Sequence, residues 1–418
     1  METSVSNKQK PGDIVLTGMG VVSPFGLGVE VFKKAVEERE SAAKEINSFE
    51  IKDWCRARLA AMVPKFSLEE LIKNPKEASR ASPQLRLAWA ALHLALEDAG
   101  LAFDGTSQER VGIFVGTSRF LADRLEYMLE RILTGKVVEI LPIRIDWIHP
   151  HGTTAQLSYI YKIVGPTLTF AASCQSGIQA LESAMLYLKA NIVDIALVLS
   201  SDTLSPFQFH TEAAAGILSS ETNPNLVPRP YDRAADGMVL AEGAAALILE
   251  REGDARARQA DIQARIAELK TTVEPIPFPP LSNKHWDMTR SITRLFECLD
   301  STELDLIHAN GRGIPEFDLA ESQGIQKALN KNADRIPVTS IQGSMGHAGG
   351  TSALFQIVST VLSIASSAIP PIRNLEHAAG SCDLNYVTDK PMRTKVGQGA
   401  VLSHGWGGHH SSVLIRKV

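Results

Sequence analysis

The stretch Thr167–Ala190, TLTFAASCQSGIQALESAMLYLKA, decides how the chain is expected to fold. Its first residues, Thr167–Ala172, are mostly apolar or β-branched and predict a buried strand. Residues Gly177–Ala190 place apolar side chains at helical spacing, so a helix follows the strand after a turn of only a few residues. Cys174 lies in that turn, at the expected N-terminus of the helix.

A cysteine between a buried strand and a helix is a candidate nucleophile. The unpaired N–H groups and the positive end of the helix dipole stabilise a thiolate there, and a backbone N–H of the same turn can bind the oxygen of a thioester. A buried structural cysteine is an equally good interpretation, because cysteine is among the most buried residue types. The turn around Cys174 alone leaves both interpretations open.

Strands and helices alternate on both sides of this stretch, which predicts an α/β protein with a buried, largely parallel sheet. Asp13–Gly20 (DIVLTGMG) is expected to be a buried strand that leads into a loop, and Ser82–Ala99 a long helix. The pattern begins again after a charged segment, so we expect two similar halves, residues 1–252 and 253–418. Thr271–Lys284 contains four prolines and is expected to be a surface connection.

Composition argues against several classes of protein. A formal net charge of −5 does not fit a general nucleic-acid binder, which usually carries a basic surplus. The polar start METSVSNKQKPGD lacks the apolar core of a signal peptide, and no run of roughly 18 apolar residues predicts a membrane span. The four cysteines form no short-spaced pair, which favours a reducing cytoplasm over a disulfide framework or a metal site. We therefore expect a cytoplasmic protein.

Several segments, in their order along the chain, resemble the β-ketoacyl synthases of fatty-acid and polyketide assembly. Each segment is a weak signal by itself, but the ordered set covers nearly the whole chain and is specific. The segments are LTGMGVVSPFG (Leu16–Gly26), ASCQSG (Ala172–Gly177), RPYDRAADGMVLAEGAAALILE (Arg229–Glu250), PVTSIQGSMGHAGG (Pro337–Gly350) and SHGWGGHH (Ser403–His410).

This resemblance implies the thiolase fold, an α/β structure whose two related halves form α-β-α-β-α layers. It implies that Cys174 takes up an acyl group as a thioester, and that decarboxylation of a malonyl thioester then drives carbon–carbon bond formation. Acyl carrier protein or coenzyme A is expected to deliver the thioesters, and no metal or redox cofactor is expected. The family usually forms homodimers, and a heterodimer with a paralogous synthase is the alternative.

The chain departs from the family where the malonyl thioester is held. The family's second histidine is His347, but the first, in the motif Asn-Ala-His-Gly-Thr-Gly-Thr-Pro, is replaced by Asn310 in HANGRGIP (His308–Pro315). Gln342 stands in place of a lysine five residues before His347. Trp406 stands in place of the phenylalanine that gates the site. Together these changes indicate a remodelled site.

The resemblance also implies a role for each of these side chains. His347 and Asn310 are expected to hold the carbonyl of the incoming thioester, and Glu321 to orient the site through hydrogen bonds. His308 lies two residues before Asn310, so an exchange of histidine and asparagine is one interpretation. A histidine that forms hydrogen bonds inside the core is the other.

The glycine-rich loop near the C-terminus is expected to complete an oxyanion hole. The backbone N–H groups of Cys174 and Trp406 would bind the oxyanion, and the Trp406 ring would act as the gate. Gly405 and Gly407 allow tight turns and a close approach of the backbone.

Three functions fit these residues. Condensation requires donors for an enolate oxygen, and the NH2 group of Asn310 is one. A non-elongating acyltransferase needs only the nucleophile Cys174, a base and an oxyanion hole. A non-catalytic subunit, like the chain-length subunits of aromatic polyketide systems, usually lacks the cysteine. Condensation is therefore the first expectation, acyl transfer the second and the partner subunit the third.

Overall fold

The computed structural model describes residues 12–72, 75–103, 106, 108–119, 122–136, 149–275, 288–297, 304–380 and 382–418. The strands in these ranges are β1 (Ile14–Ser23), β2 (Gly26–Leu27), β3 (Lys44–Glu45), β4 (Leu59–Ala61), β5 (Val111–Gly116), β6 (Thr167–Phe170), β7 (Ile195–Asp202), β8 (Leu240–Ala241), β9 (Gly243–Arg251), β10 (Ala264–Val273), β11 (Leu306–His308), β12 (Val338–Thr339), β13 (Ala368–Ile369), β14 (Met392–Arg393), β15 (Gln398–Gly405) and β16 (His409–Arg416).

The helices alternate with these strands. They are α1 (Val29–Glu37), α2 (Leu68–Ile72), α3 (Pro75–Ala78), α4 (Pro83–Asp98), α5 (Ala122–Leu133), α6 (Gly152–Tyr161), α7 (Ser176–Lys189), α8 (Pro206–Ala214), α9 (Glu252–Ala257), α10 (Thr289–Glu297), α11 (Pro315–Leu329), α12 (Gln342–Met345) and α13 (Ser352–Ser366), with short 3-10 helices at Asn330–Asn332 and Gly349–Thr351.

The main sheet has the same strand order in its two runs. The full order is β12-β11-β15-β16-β10-β1-β9-β7-β5-β6, with β2 paired to β1 off this path. The first five strands of this order form one run and the last five form the other. When the strands of each run are numbered 1 to 5 by their order in the sequence, both runs read 3-2-4-5-1 from the edge of the sheet to its centre. Because the first run lies after residue 253 and the second before residue 252, the repeated order supports the proposed division into two related halves.

The sheet is mixed, so the expectation of a largely parallel sheet is wrong. Strand β5 is parallel to β6 and β7, and β11 is parallel to β12 and β15. The five other neighbouring pairs are antiparallel. Antiparallel neighbours need no helical crossover. Here β15 and β16 are joined by a short turn, whereas β9 and β10 lie on either side of β1 and are joined by the short helix α9.

Helices cover both outer faces and fill the middle, as the thiolase fold requires. Helix α4 packs on one face of β1, β9 and β7, whereas α7 packs on β5, β7 and β6. Helix α13 contacts α7, and it also contacts β15 and β16. Helices α10 and α11 pack together, and α10 contacts β10 and β16. The layers are therefore α-β-α-β-α, as expected.

Strand β1 is longer than predicted. The glycines of DIVLTGMG were expected to begin a loop, but the strand continues to Ser23, and every residue of it is buried. A Cβ on Gly18 would lie 2.4 Å from the Ala95 carbonyl oxygen, and one on Gly20 would lie 1.9 Å from that of Ala91. These glycines therefore allow α4 to pack closely against the strand.

Part of the expected surface connection Thr271–Lys284 belongs to a strand. Strand β10 continues to Val273 and pairs with β1 on one side and with β16 on the other. Residues 276–287 lie outside the described residues.

One segment passes a test for membrane-spanning helices by length and composition. Residues Gly349–Ser366 form an apolar helical segment of 18 residues, so the expectation that no run reaches that length needs this correction. In the fold, 83% of the segment is buried inside the protein, where it forms part of the middle layer.

Candidate active site

The turn before α7 holds Cys174 in a strained backbone. Ser173 has a φ of 54°, a left-handed conformation that is uncommon for a residue other than glycine. Cys174 follows it, is almost fully buried, and precedes the first helical residue, Ser176, by two positions. A Cβ on Gly177 would lie 2.6 Å from the Gly350 carbonyl oxygen, so the start of α7 packs directly on the segment that follows His347.

His347 faces the nucleophile. Its Nε2 lies 3.1 Å from Cys174 Sγ, and only 3% of the histidine is exposed. Backbone hydrogen bonds fix its position, since its N–H donates to the Val239 carbonyl (2.8 Å) and its carbonyl accepts from the Ala241 N–H (2.9 Å). The structure therefore brings together the predicted nucleophile and a residue that was predicted to hold the carbonyl of the incoming thioester.

The other ring nitrogen of His347 has two neighbours. Nδ1 lies 2.9 Å from Gln342 Oε1 and 3.2 Å from Ser352 Oγ. Burial holds the pKa of His347 well below its ordinary value, and the positive charges of Arg312 and Arg119 lower that pKa further. The ring is therefore neutral at physiological pH and can accept a proton.

Every polar group of Asn310 is engaged. Its N–H donates to Glu321 Oε1 (2.7 Å), and its carbonyl accepts from Gln342 Nε2 (3.0 Å). Its side-chain Nδ2 donates to Gln356 Oε1 (3.2 Å), and its Oδ1 accepts a hydrogen bond from Arg312. Asn310 is thus connected to His347 through Gln342, but its amide donates to another side chain.

Arg312 was not among the predicted site residues. It is 1% exposed, its Nη2 donates to the His404 carbonyl (2.7 Å), and its guanidinium carbon lies 3.9 Å from the centre of the Phe317 ring. No Asp or Glu of the described residues lies within 4.0 Å of its guanidinium nitrogens. The sequence held a signal, because HANGRGIP has Arg312 where the family motif has threonine.

Glu321 lies behind Asn310, where the sequence placed a supporting residue. Its Oε2 accepts from the Tyr231 hydroxyl (2.6 Å), and its Oε1 lies 3.1 Å from His404 Nε2. Tyr231 also accepts a hydrogen bond from the Gly311 N–H (2.8 Å). The carboxylate therefore binds the loop after β11 at several points.

Two loop histidines are paired beside this carboxylate. His404 Nδ1 lies 2.8 Å from His410 Nδ1, and burial, followed by the neighbouring histidines, lowers the pKa of His410 to about 2. His404 is the residue that contacts Glu321. Among the described residues, no group of three or more His, Cys, Asp or Glu side chains is arranged to hold a metal ion.

His308 is buried at the end of β11. Neither ring nitrogen has a hydrogen-bond partner within the described part of the chain, and burial lowers the pKa of His308 to about 3. His308 therefore lies in the core, as one interpretation predicted. The hydrogen bonds that this interpretation included are not present among the described residues. An exchange of roles with Asn310 remains a prediction.

The glycine-rich loop lies against the nucleophile turn. Trp406 is partly exposed in the turn between β15 and β16, and Gly407 has a φ of 83°. A Cβ on Gly405 would lie 3.1 Å from Gln175 Cγ and 3.7 Å from its backbone nitrogen. The loop and the residue after Cys174 are thus adjacent, as an oxyanion hole built from both requires.

Comparison with known proteins covers most of the chain. Residues 12–255 match the family model "Beta-ketoacyl synthase, N-terminal domain", and residues 283–376 match "Beta-ketoacyl synthase, C-terminal domain". The chain is 27% identical to a 3-oxoacyl-acyl-carrier-protein synthase 2 of Coxiella burnetii, over 97% of this chain and 98% of that protein. It is 26% identical to the tetracenomycin polyketide synthase ketoacyl synthase alpha subunit of Streptomyces glaucescens, over 96% and 97%.

Solved structures show the same fold. One is a type II polyketide synthase acyl-carrier protein in complex with its ketosynthase, with a TM-score of 0.85 and 25% identity over 98% of this chain and 100% of that one. Another is a β-ketoacyl synthase from Burkholderia phymatum, with a TM-score of 0.87 and 24% identity over 97% and 100%.

Proposed function

The chain belongs to the β-ketoacyl synthase family, and we propose that it is a condensing enzyme of fatty-acid or polyketide-type biosynthesis that carries its acyl chain on Cys174. The contact of 3.1 Å between Cys174 Sγ and His347 Nε2 is the observation that supports this most. A neutral imidazole beside a thiol can accept the proton of the nucleophile. The relatives named as synthases of this type extend over nearly the whole chain.

In the first step the acyl group moves to Cys174. The sulfur attacks the carbonyl carbon of the incoming thioester while its proton passes to His347 Nε2. The oxyanion that forms is held by the backbone N–H groups of Cys174 and Trp406. Its collapse breaks the bond between carbon and the leaving sulfur, which takes the proton from His347.

In the second step a malonyl thioester loses CO2. The electrons of the broken carbon–carbon bond form an enolate, which attacks the acyl carbonyl carbon on Cys174 and makes the new carbon–carbon bond. Cys174 leaves as a thiolate, and one proton from solvent restores the thiol. We assign Asn310 as the donor to the enolate oxygen, with His347 able to donate only when its ring is protonated on both nitrogens, and removal of such a donor typically costs about 2.7–4 kcal/mol.

A second candidate function is acyl transfer without decarboxylation. It is favoured by one contact, since Asn310 Nδ2 already donates one of its two hydrogens to Gln356 Oε1 (3.2 Å), which leaves a single N–H for an enolate oxygen. The first step does not need this donor. The third candidate, a non-catalytic subunit, has no use for the contact between Cys174 and His347.

We further propose that acyl carrier protein or coenzyme A delivers the thioesters in the cytoplasm, and that the chain forms a homodimer, with a paralogous synthase as the alternative partner. A structurally similar ketosynthase was solved in complex with its acyl-carrier protein. Strand β6 is the last strand of the sheet that the described residues form, and Val164, three positions before it, is 62% exposed. An edge strand beside an exposed apolar side chain is a surface that another chain can cover. Light scattering should give twice 45.3 kDa for the protein alone.

Intact-protein mass spectrometry tests the catalytic proposal. The protein is incubated with acyl thioesters of a carrier protein and of coenzyme A, and then with a malonyl thioester. We expect an acyl adduct on the wild type and on Cys55→Ala, which removes another buried cysteine, but none on Cys174→Ala. Consumption of the adduct, with a product two carbons longer on the carrier, is the result expected of condensation.

Two other outcomes would contradict condensation. An adduct on Cys174 that persists in the presence of malonyl thioester would replace condensation by plain acyl transfer. No adduct with any donor would exclude both enzymatic proposals and favour the partner-subunit hypothesis.

A further inference from the structure

Gln342 joins the two residues assigned to the malonyl thioester. Its Nε2 donates to the Asn310 carbonyl (3.0 Å), its Oε1 lies 2.9 Å from His347 Nδ1, and it is 1% exposed. A backbone carbonyl can only accept a hydrogen bond, so the NH2 end of the amide must face Asn310. With the amide reversed, two oxygens would face each other. The oxygen end of Gln342 therefore faces His347.

This orientation determines which ring nitrogen of His347 carries the proton. Oε1 of Gln342 can only accept, so Nδ1 of the neutral ring must be the donor at that contact. The contact with Ser352 is compatible with a proton on Nδ1. Ser352 Oγ accepts the Ala348 N–H (2.8 Å), and its second lone pair can accept from Nδ1, which lies 3.2 Å away. The lone pair of the neutral ring is then on Nε2, which faces Cys174 Sγ.

We propose that Gln342 is a positioning residue that holds His347 in the Nδ1–H tautomer and so makes its Nε2 a proton acceptor toward Cys174. This inference rests on the proposed roles of Cys174 and His347. In the step that it serves, the proton of the thiol passes to Nε2 and the ring becomes an imidazolium with a proton on each nitrogen. That proton leaves with the departing thiol, and the ring returns to the same tautomer.

The two half-reactions require opposite protonation states of His347 Nε2. Acylation of Cys174 needs a neutral His347, whose Nε2 can accept. A hydrogen bond from His347 to the enolate oxygen needs a proton on Nε2, which this tautomer has only as the imidazolium. In the condensing step the neutral ring therefore gives no donor, and Asn310 is the side chain that must supply one. Rising pH should favour acylation and should remove the contribution of His347 to decarboxylation.

Reversing the polarity at position 342 tests the inference. Gln342→Lys places a donor against Nδ1 and should shift the ring to the Nε2–H tautomer. Gln342→Glu keeps an acceptor at Nδ1 but loses the bond to the Asn310 carbonyl, so it is the control for loss of that bond. Nitrogen-15 NMR of histidine-labelled protein at pH 8 reports the tautomer directly, and His347→Gln assigns the signal. We expect Nδ1–H in the wild type and in Gln342→Glu, and Nε2–H in Gln342→Lys.

Alkylation of Cys174 by iodoacetamide is the second readout. Its rate should fall at least tenfold in Gln342→Lys and change little in Gln342→Glu, since only the first removes the acceptor beside the sulfur. If the lysine variant does not fold, Gln342→Met, which removes the acceptor without adding a charge, should give a mixture of tautomers.

The result that overturns the inference is an Nε2–H ring in the wild type, or a tautomer that does not change in Gln342→Lys or Gln342→Met. Neither measurement uses an acyl donor. A protein with the expected tautomer and reactivity but no acyl adduct would therefore contradict the proposed function alone.

Discussion

His404 Nε2 lies 3.1 Å from Glu321 Oε1, and neither side chain is exposed. The same carboxylate accepts the Asn310 N–H (2.7 Å) and the Tyr231 hydroxyl (2.6 Å). A carboxylate has acceptors for all three, whereas an amide offers one oxygen and one NH2 group. Glu321 therefore joins three segments of the site through hydrogen bonds. These segments are β15, the loop after β11 and the segment around Tyr231.

Glu321→Gln should destabilise the protein without changing its volume. The NH2 end of the amide would meet a group that now donates to Glu321, and a buried donor would be left without an acceptor. We expect the free energy of unfolding to fall by roughly 1–3 kcal/mol, measured by urea denaturation. Gln323→Ala, on an exposed position of the same helix, is the control and should change it by less than about 0.5 kcal/mol. Equal stability of Glu321→Gln and wild type would contradict this role.

His308 should make the protein sensitive to acid. The pKa of His308 is lowered to about 3 by burial, whereas an unfolded histidine has a pKa of about 6.5. Between these values the unfolded chain binds a proton that the folded chain excludes. The contribution of His308 to stability is therefore fully present above about pH 6.5 and is lost as the pH falls toward 3.

Replacement of His308 by leucine separates this effect from packing. His308→Leu should be as stable as the wild type at pH 7 or up to about 1 kcal/mol more stable, because two unpaired ring nitrogens are removed. At pH 5 the stability advantage of the variant over the wild type should be roughly 2 kcal/mol larger than at pH 7. The reason is that pH 5 lies about 1.5 units below the pKa of an unfolded histidine. A variant that is much less stable than the wild type at pH 7 would show that the His308 ring makes a stabilising contact and would contradict this prediction.

Gly346 should be intolerant of a side chain. Its φ is 77°, and a Cβ there would lie 2.8 Å from the Val239 carbonyl oxygen, which accepts the His347 N–H. Gly346→Ala should therefore displace His347 from Cys174, and we expect at least a tenfold slower appearance of the acyl adduct by mass spectrometry. Gly380→Ala, where a Cβ meets nothing within 4 Å, should leave the rate unchanged. Equal rates in Gly346→Ala and wild type would contradict this role for the glycine.

The sequence predicted the long, regular elements well because their periodicity is local. Ser82–Ala99 was expected to be a helix, and α4 occupies Pro83–Asp98, with the Ser82 hydroxyl accepting the Leu85 N–H as a cap. Strand β10 was not predicted, because ARIAELKTTV mixes charged and apolar residues. It is half-buried between β1 and β16, and only that tertiary position explains a strand of this composition.

At the site, motifs identified residues but not their contacts. Cys174 and His347 are 173 positions apart, and their approach follows from how α7 and the segment after α12 pack. Gln356 lies outside the quoted motifs, and Tyr231 lies in one that does not indicate its hydrogen bonds, since a buried tyrosine or glutamine is explained by packing until its partner is known. Arg312 stood within a quoted motif, but its bonds to Asn310 and His404 depend on a rotamer that only the structure specifies.

Arg312 should control the proton affinity of His347. The pKa of His347 is lowered first by burial and then by the charges of Arg312 and Arg119. Removal of one of these charges must therefore raise the pKa, so the ring should take up a proton at a higher pH. Because Cys174 Sγ lies 3.1 Å from the ring, the measurement belongs in a Cys174→Ala background, where no thiol can exchange a proton with His347.

In that background, Arg312→Met keeps the length of the side chain and removes its charge. Nitrogen-15 NMR titration should show the His347 ring protonating at a higher pH than with Arg312 present. With Cys174 restored, the acid limb of the acylation rate should move in the same direction, since acylation needs the neutral ring. Arg335→Met, at an exposed position, is the control for loss of a positive charge. A titration of His347 that is the same in Arg312→Met and in the control would show that burial alone keeps the ring neutral.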